Sequence, residues 1–433
     1  MLLRSLLWLL VLATGFVVAQ APRPPRFNAA RVAAAEKTLD TFGCKLTREL
    51  TPLVPAVRLV TEVTFPPKTT DADFLRLLPS LQQLPALRSL DFTSTGLTDR
   101  GGIQIGKIAN LTGVNLKETK IGAETLKALL TLKQLTFLGL DEIKDLRPHV
   151  KYLGEMPQLT RLQLNALLLE DDDLVCLKNH RKITQLSLGR NRITHAGLKH
   201  LRDNRALSSL SLYLPTNNNP AFTRFDDEAA KVIAEFPELH SLVLSGHQLT
   251  DRGVQHLTTC RKLCLLCLED NPVAFRDVPD VHEWTQMGEL DLSGAKLDDE
   301  SLANVARIPA LRRLDIGSNP IRGKGLKHLT TMPALESLQL SNTPLENGHV
   351  GYLARCPLLR SVSLSYSPVN DDDLLALAPA RSLESVHALD TRITKAGAAK
   401  MRRAAPRVEL TVSQAPPGFA FPKMPEVKTP VKP

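Results

Sequence analysis

A six-residue aliphatic pattern, L-x-x-L-x-L with occasional Ile, Val or Met, recurs along the chain at a fixed spacing. It begins at residues 87, 111, 135, 159, 183 and 207, and again at residues 239, 263, 287, 311, 335, 359 and 383. Every step is 24 residues except the step from 207 to 239, which is 32 because of an eight-residue insertion. Thirteen copies on one spacing indicate a stacked array of repeats rather than independent domains.

Each period carries mostly apolar residues at offsets 0, 3, 5, 10, 15, 18 and 21 from its start. The spacing of two at offsets 3 and 5 predicts a short strand, and the spacing of three from offset 15 predicts a helix. Thr194 and Thr250, both at offset 11, are placed to cap that helix. One period cannot bury its own apolar face, so the periods must stack, with parallel strands on one side and wider helices on the other. Aromatic residues make up only 4 % of the chain, so the core must be aliphatic.

The pattern, the Asn at offset 8 (Asn191, Asn271, Asn319) and phrases such as LTDRGV resemble the leucine-rich-repeat family, with bacterial-type repeats, over residues 57–412. The resemblance implies an α/β fold: a right-handed leucine-rich-repeat solenoid, a curved horseshoe with short parallel strands on its concave face and helices on its convex face. It also implies that the offset-8 Asn side chains hydrogen-bond the backbone of adjacent turns. Thr or Ser occupies this column in several repeats, which predicts a weaker ladder there.

The ends of the chain differ in composition from the array. Residues 1–19 combine Arg4, an apolar run and a cleavage motif ending at Ala19, which predicts a signal peptide and export to the periplasm, cell envelope or exterior; an uncleaved anchor is the alternative. We expect residues 20–56 to form a proline-rich spacer and a helix that caps the first strand. Residues 413–433 hold six prolines and three lysines, and we expect this tail to be disordered.

One motif raises the possibility of an enzyme. Cys260, Cys264 and Cys267 have a C-x3-C-x2-C spacing that resembles the ligands of iron–sulfur clusters. The repeat instead places Cys260 in the apolar column at offset 21, and Cys264 and Cys267 on a strand with side chains on opposite faces. The Asp runs at 171–173 and 371–373 fall in the first turn of a helix, where the helix dipole favours them over a calcium-binding role. We therefore predict no catalytic residue, no cofactor and no metal site.

Charge on the inner face argues against nucleic acid and indicates a different partner. The chain carries a net charge of +9, yet the inner-face offsets 2, 4 and 6 hold six acids and three bases over the thirteen repeats. A groove that binds phosphates would be lined with Lys and Arg. Five of these charged residues come from three successive strands, and we call them the acidic patch: Glu269, Glu289, Asp291, Arg313 and Asp315. We predict that the acidic patch contacts a cationic region of a protein partner.

The eight-residue insertion is the second candidate site, because insertions in repeat proteins form loops on one rim, often at the binding face. It offers Tyr213, Phe222 and Arg224. The sequence thus predicts a monomeric, non-enzymatic protein–protein interaction scaffold that uses the concave face and one rim. The alternative is a module that binds envelope polysaccharide or another surface through the basic convex side and the tail.

Overall fold

The computed structural model describes residues 28–50, 58–215 and 219–421. Within these ranges the chain forms one open sheet of sixteen strands, whose spatial order follows the sequence. Strand β1 is antiparallel to β2, and each later strand runs parallel to the one before it. The strands are Lys45–Leu50 (β1), Arg58–Thr64 (β2), Ser89–Asp91 (β3), Gly113–Asn115 (β4), Phe137–Gly139 (β5), Arg161–Gln163 (β6), Gln185–Ser187 (β7), Ser209–Ser211 (β8), Ser241–Val243 (β9), Leu265–Cys267 (β10), Glu289–Asp291 (β11), Arg313–Asp315 (β12), Ser337–Gln339 (β13), Ser361–Ser363 (β14), Ser385–Thr391 (β15) and Glu409–Gln414 (β16).

The strands have the register that the sequence spacing predicts. Every strand of the thirteen repeats begins two residues after the start of its six-residue pattern. Leu290 pairs with Leu314, 24 residues away, and Leu210 pairs with Leu242 across the insertion. The insertion therefore leaves the stack undisturbed, and the predicted α/β solenoid is confirmed.

Short helices lie between successive strands. The α-helices of the described chain are Ala29–Phe42 (α1), Asp71–Leu81 (α2), Asp99–Gly102 (α3), Ala123–Leu129 (α4), His195–Lys199 (α5), Asp227–Ile233 (α6), Asp251–Leu257 (α7), Ser301–Val305 (α8), Leu326–Leu329 (α9), Asp371–Leu375 (α10) and Lys395–Ala404 (α11). Several repeats have a 3-10 helix in place of an α-helix, or following one: Ile103–Lys107, Arg147–Glu155, Asp171–Leu177, Val281–Glu283 and Val350–Arg355. The apolar columns of strands and helices form one continuous buried core.

An Asp in one turn and a Thr-x-x-Gly segment in the following turn join neighbouring turns. The carboxylate of Asp171 accepts hydrogen bonds from the Thr194 backbone N–H and hydroxyl, both at 2.7 Å. A Cβ at Gly197 would lie 2.5 Å from Asp171 Oδ1, so glycine leaves room for the carboxylate. Asp371 contacts Thr394 in the same way. The first Asp of each Asp run is thus a structural joint between neighbouring turns.

The Asn side chains at offset 8 form the ladder that the resemblance implies. Asn271 Nδ2 donates to the carbonyls of Leu244 (2.7 Å) and Leu268 (3.0 Å), and its Oδ1 accepts from the Leu249 N–H at 3.0 Å. Asn191 and Asn319 make equivalent bonds. The Thr95 and Thr119 hydroxyls bond only to carbonyls of their own turns, so the ladder is weaker in those repeats.

A buried histidine takes the place of Asn in the turn after the insertion. His247 Nε2 lies 2.7 Å from the Leu212 carbonyl, and its Nδ1 accepts from the Phe225 N–H at 3.3 Å. These are the groups that Asn would reach, because Leu212 precedes the insertion and Phe225 follows it. Burial lowers the pKa of His247 to about 4, so the ring is neutral at pH 7. The His247 ring, which is longer than an Asn side chain, therefore hydrogen-bonds the backbone on both sides of the inserted segment.

The predictions for the chain ends need correction. The expected helix is present as α1, Ala29–Phe42, but Lys45–Leu50 pairs antiparallel with β2, so a strand rather than the helix covers the first edge of the sheet. Residues 413 and 414 belong to β16, and the Phe419 ring stacks on Tyr366 with centroids 6.4 Å apart, so the expectation of disorder is wrong for residues 413–421. The predicted signal peptide (1–19), the start of the spacer and residues 422–433 lie outside the described residues. No described helix combines the length and the apolar character needed to span a membrane.

Candidate functional site

Three carboxylates of the acidic patch lie side by side on the inner face; we call Glu269, Asp291 and Asp315 the acidic triad. Asp291 and Asp315 end strands β11 and β12 and are directly paired across them. Glu269 follows the end of β10 by two residues. Adjacent strands are about 4.8 Å apart, so the repeat spacing brings together charges that are 22 or 24 residues apart in sequence.

The acidic triad carries negative charge that the chain itself does not neutralise. Within the described residues, no Lys or Arg forms an ion pair with any of the three. Burial, with the charge of Asp291, raises the pKa of Asp315 to about 6. Burial and the charges of Asp291, Asp270 and Asp315 also raise the pKa of Glu269. The fold thus holds like charges together at a cost in stability, as binding sites for cations do.

The other two residues of the acidic patch neutralise each other. Arg313 Nε donates to Glu289 Oε2 at 2.8 Å, and both residues open their strands, where they are directly paired. The structure therefore divides the predicted patch into an ion pair at one end of the strands and the uncompensated acidic triad at the other.

The cysteine cluster that the C-x3-C-x2-C spacing raised as an alternative does not form among the described residues. Cys260 is buried in the core, Cys264 is exposed with its Sγ near the Lys262 carbonyl, and Cys267 faces the acidic triad. A different set of donors converges instead: Cys267 Sγ and carboxylate oxygens of Glu269 and Asp291 lie within 4.8 Å of one another. Sequence analysis missed this set because its members come from two turns.

This set supplies three donors of mixed type, one fewer than structural zinc sites use. Cys267 Sγ lies 3.0 Å from Ser245 Oγ and 3.4 Å from Asp291 Oδ2. Burial raises the pKa of the Cys267 thiol to about 11, which disfavours the thiolate that binds metals. The arrangement therefore meets the proximity requirement of a metal site but not its usual composition.

The insertion lies on the same rim as the acidic triad. Tyr213 lies two residues after β8 and is 44 % exposed. A Cβ at Gly189 would lie 2.4 Å from the Tyr213 carbonyl oxygen, so glycine at 189 leaves room for the backbone at the start of the loop. The Arg190 guanidinium lies over the Phe222 ring, and its central carbon is 5.9 Å from the ring centre. The positive charge of Arg224 adds to burial, the main cause, in lowering the pKa of His247. Tyr213 and Glu269 hold equivalent positions two strands apart, about 10 Å by strand spacing.

A stack of turns in fixed register, with one polar inner face, defines the class of α/β repeat solenoids. The chain is a leucine-rich-repeat protein, and the leucine-rich-repeat family matches it over residues 83–106 and 309–329. Among solved structures it is similar to an internalin from Listeria monocytogenes, with 19 % identity, a TM-score of 0.55, and coverage of 85 % of this chain and 98 % of that one. A leucine-rich-repeat protein from Leptospira interrogans is 18 % identical over 76 % of this chain and 91 % of that one, with a TM-score of 0.49. None of the curated proteins compared matches the chain.

Proposed function

We propose that the protein is a non-enzymatic scaffold whose concave face binds a protein partner, with a cationic segment of the partner lying on the acidic triad. The observation that carries this proposal is the absence of any neutralising Lys or Arg around the triad within the described chain. A lysine or arginine from a partner would stabilise the ionised form of Asp315, whose pKa is raised by burial and, to a smaller extent, by the charge of Asp291. The insertion, on the same rim, would extend the contact with Tyr213 and Phe222.

The test uses the full chain and a blocked Gly/Ser peptide that carries two lysines, with binding measured by ¹⁹F NMR on a labelled peptide. The variant Glu269→Gln/Asp291→Asn/Asp315→Asn removes three charges and keeps side-chain size. We expect it to weaken binding of the peptide by at least tenfold. Each lost contact between opposite charges contributes part of that change.

The matched control removes three charges from exposed carboxylates elsewhere: Glu155→Gln/Asp172→Asn/Asp277→Asn. None of these three side chains takes part in an ion pair within the described residues. Equal loss in both triple variants would mean that the peptide senses only net charge, and the proposed site would be wrong. Binding to an anionic surface that falls steeply with salt and is not weakened by either triple variant is what contact through the basic convex side and tail would give.

We also propose that the protein acts outside the cytoplasm, on the basis of residues 1–19. Sequencing of the N-terminus of protein purified from its native source is the direct test. A mature chain that begins at Gln20 would support export with cleavage, and a chain that begins at Met1 in the cytoplasm would contradict it.

A further inference from the structure

A second charged group on the inner face is left without a partner. Of the three bases predicted there, Lys117 pairs with Glu142 (3.3 Å) and Arg313 pairs with Glu289. Arg161, at the start of β6, forms no ion pair with any carboxylate of the described residues. The guanidinium lies over the Phe137 ring, whose centre is 4.9 Å from the guanidinium carbon. The guanidinium is therefore held in place by an aromatic ring while its N–H groups remain available.

A small cavity opens beside this guanidinium. It has a volume of about 170 Å³ and is lined by side chains of four adjacent strands, among them Phe137, Arg161, Gln163, Gln185, Ser187 and Ser209. No described residue makes a hydrogen bond with the side chains of Gln163, Gln185, Ser187 or Ser209. A Cβ at Gly139 would lie 2.5 Å from Asn115 Oδ1 and 3.2 Å from Gln163 Oε1, so glycine there leaves room for both side chains.

The donors around this cavity suit a carboxylate. A guanidinium offers paired N–H groups that match the two carboxylate oxygens, and two carboxamides and two hydroxyls supply further donors. A neutral sugar would need an open aromatic face to stack on, but the Arg161 guanidinium covers the Phe137 ring. A nucleic-acid backbone would need several cations, and the cavity has one.

We propose that this cavity binds a side-chain carboxylate of the protein partner whose cationic segment lies on the acidic triad, an inference that rests on the proposed function. From β6, which holds Arg161, to β11, which holds Asp291, there are five strand steps, about 24 Å at 4.8 Å each. An extended peptide covers this distance in about seven residues at about 3.3 Å per residue. The partner segment thus carries an Asp or Glu and, about seven residues away, a pair of Lys or Arg.

Three blocked Gly/Ser peptides with a fluorine label separate the two sites. The first carries one Glu and, about seven residues on, two Lys; the second keeps only the Glu; the third has Gln in place of Glu and keeps the two Lys. Binding to the full chain is measured by ¹⁹F NMR, which detects weak complexes, for the unchanged protein, Arg161→Gln and the exposed control Arg181→Gln. The Arg161 side chain makes no hydrogen bond with any other described residue, and an unchanged unfolding midpoint would confirm that the variant is folded.

We expect Arg161→Gln to weaken binding of both Glu-containing peptides by about tenfold, the size of one charged contact, and to leave the lysine-only peptide unaffected. Arg181→Gln should change none of the three. Equal effects of Arg161→Gln on all three peptides, or none on any, would overturn the inference. So would displacement of the Glu-only peptide by digalacturonate at equal concentration, which would assign the cavity to a sugar acid. If the lysine-only peptide bound equally well to the unchanged protein and to the triple variant of the acidic triad, the proposed function alone would be wrong.

Discussion

Replacing Asp315 with Asn should make the protein more stable at pH 7, which is unusual for a partly buried residue that forms a hydrogen bond. Burial and the charge of Asp291 raise the pKa of Asp315 from 3.8 to about 6, so its ionised form is disfavoured in the fold. That difference corresponds to about 3 kcal/mol. Because the side chain is partly exposed, solvent screening reduces the figure to about 1–2 kcal/mol. Asn keeps an oxygen that can accept the hydrogen bond from the Gly317 N–H.

The sign of this effect can be followed with pH. Between about pH 4 and 6 the folded carboxyl binds a proton that the unfolded one has lost, so this carboxyl's contribution to stability falls as pH rises through that window. Urea unfolding at pH 7 should show Asp315→Asn more stable than the unchanged chain by about 1–2 kcal/mol, and the difference should vanish below about pH 4. A variant that is less stable at pH 7, or whose stability difference does not change with pH, would show that the negative charge of Asp315 does not destabilise the fold.

The remaining predictions concern the joints between turns, and urea unfolding measures each. Asn271→Ala should cost about 2–4 kcal/mol, because it leaves buried backbone groups unpaired; the exposed control Gln286→Ala should change stability by less than about 0.5 kcal/mol, and equal costs would contradict the ladder. The depressed pKa of His247 predicts stability that is complete above about pH 6.5 and is lost as pH falls towards 4, by about 3 kcal/mol; His247→Asn should lack this slope, and a retained slope would assign it to another group. Gly397→Ala should destabilise the chain, since the new Cβ would lie 2.0 Å from Asp371 Oδ1; in an Asp371→Ala background it should be neutral or stabilising, and a loss there would show that the crowding has another source.

The register of the strands could be predicted from the sequence because it depends on spacing alone. Strand pairs such as Leu290 with Leu314 follow from the 24-residue period, since an aliphatic residue that faced solvent would lose its burial energy. The same argument placed Asp291 beside Asp315. The pairing of Glu289 with Arg313 was not predicted, because it depends on which rotamers the two side chains adopt.

Features outside the period could not be predicted in this way. Strand β1 pairs in the antiparallel direction, and no repeat precedes it to set its register. His247 occupies the Asn column, but its sequence neighbours do not show that its ring reaches across the insertion. The set of Cys267, Glu269 and Asp291 combines residues of two turns, so only the fold brings their donor atoms together. Unlike the strands, these features are set by individual side-chain contacts.

Carboxyl labelling with a carbodiimide, read out residue by residue by mass spectrometry, would show whether a bound peptide covers the acidic triad. The full chain would be labelled with and without the peptide that carries both a Glu and two Lys. We expect labelling of Asp291, Asp315 and Glu269 to fall several-fold when the peptide is bound, while labelling of the exposed Glu155 and Asp277 stays unchanged. Protection of Glu155 and Asp277 with unchanged labelling of the acidic triad would instead place the binding surface on the convex side.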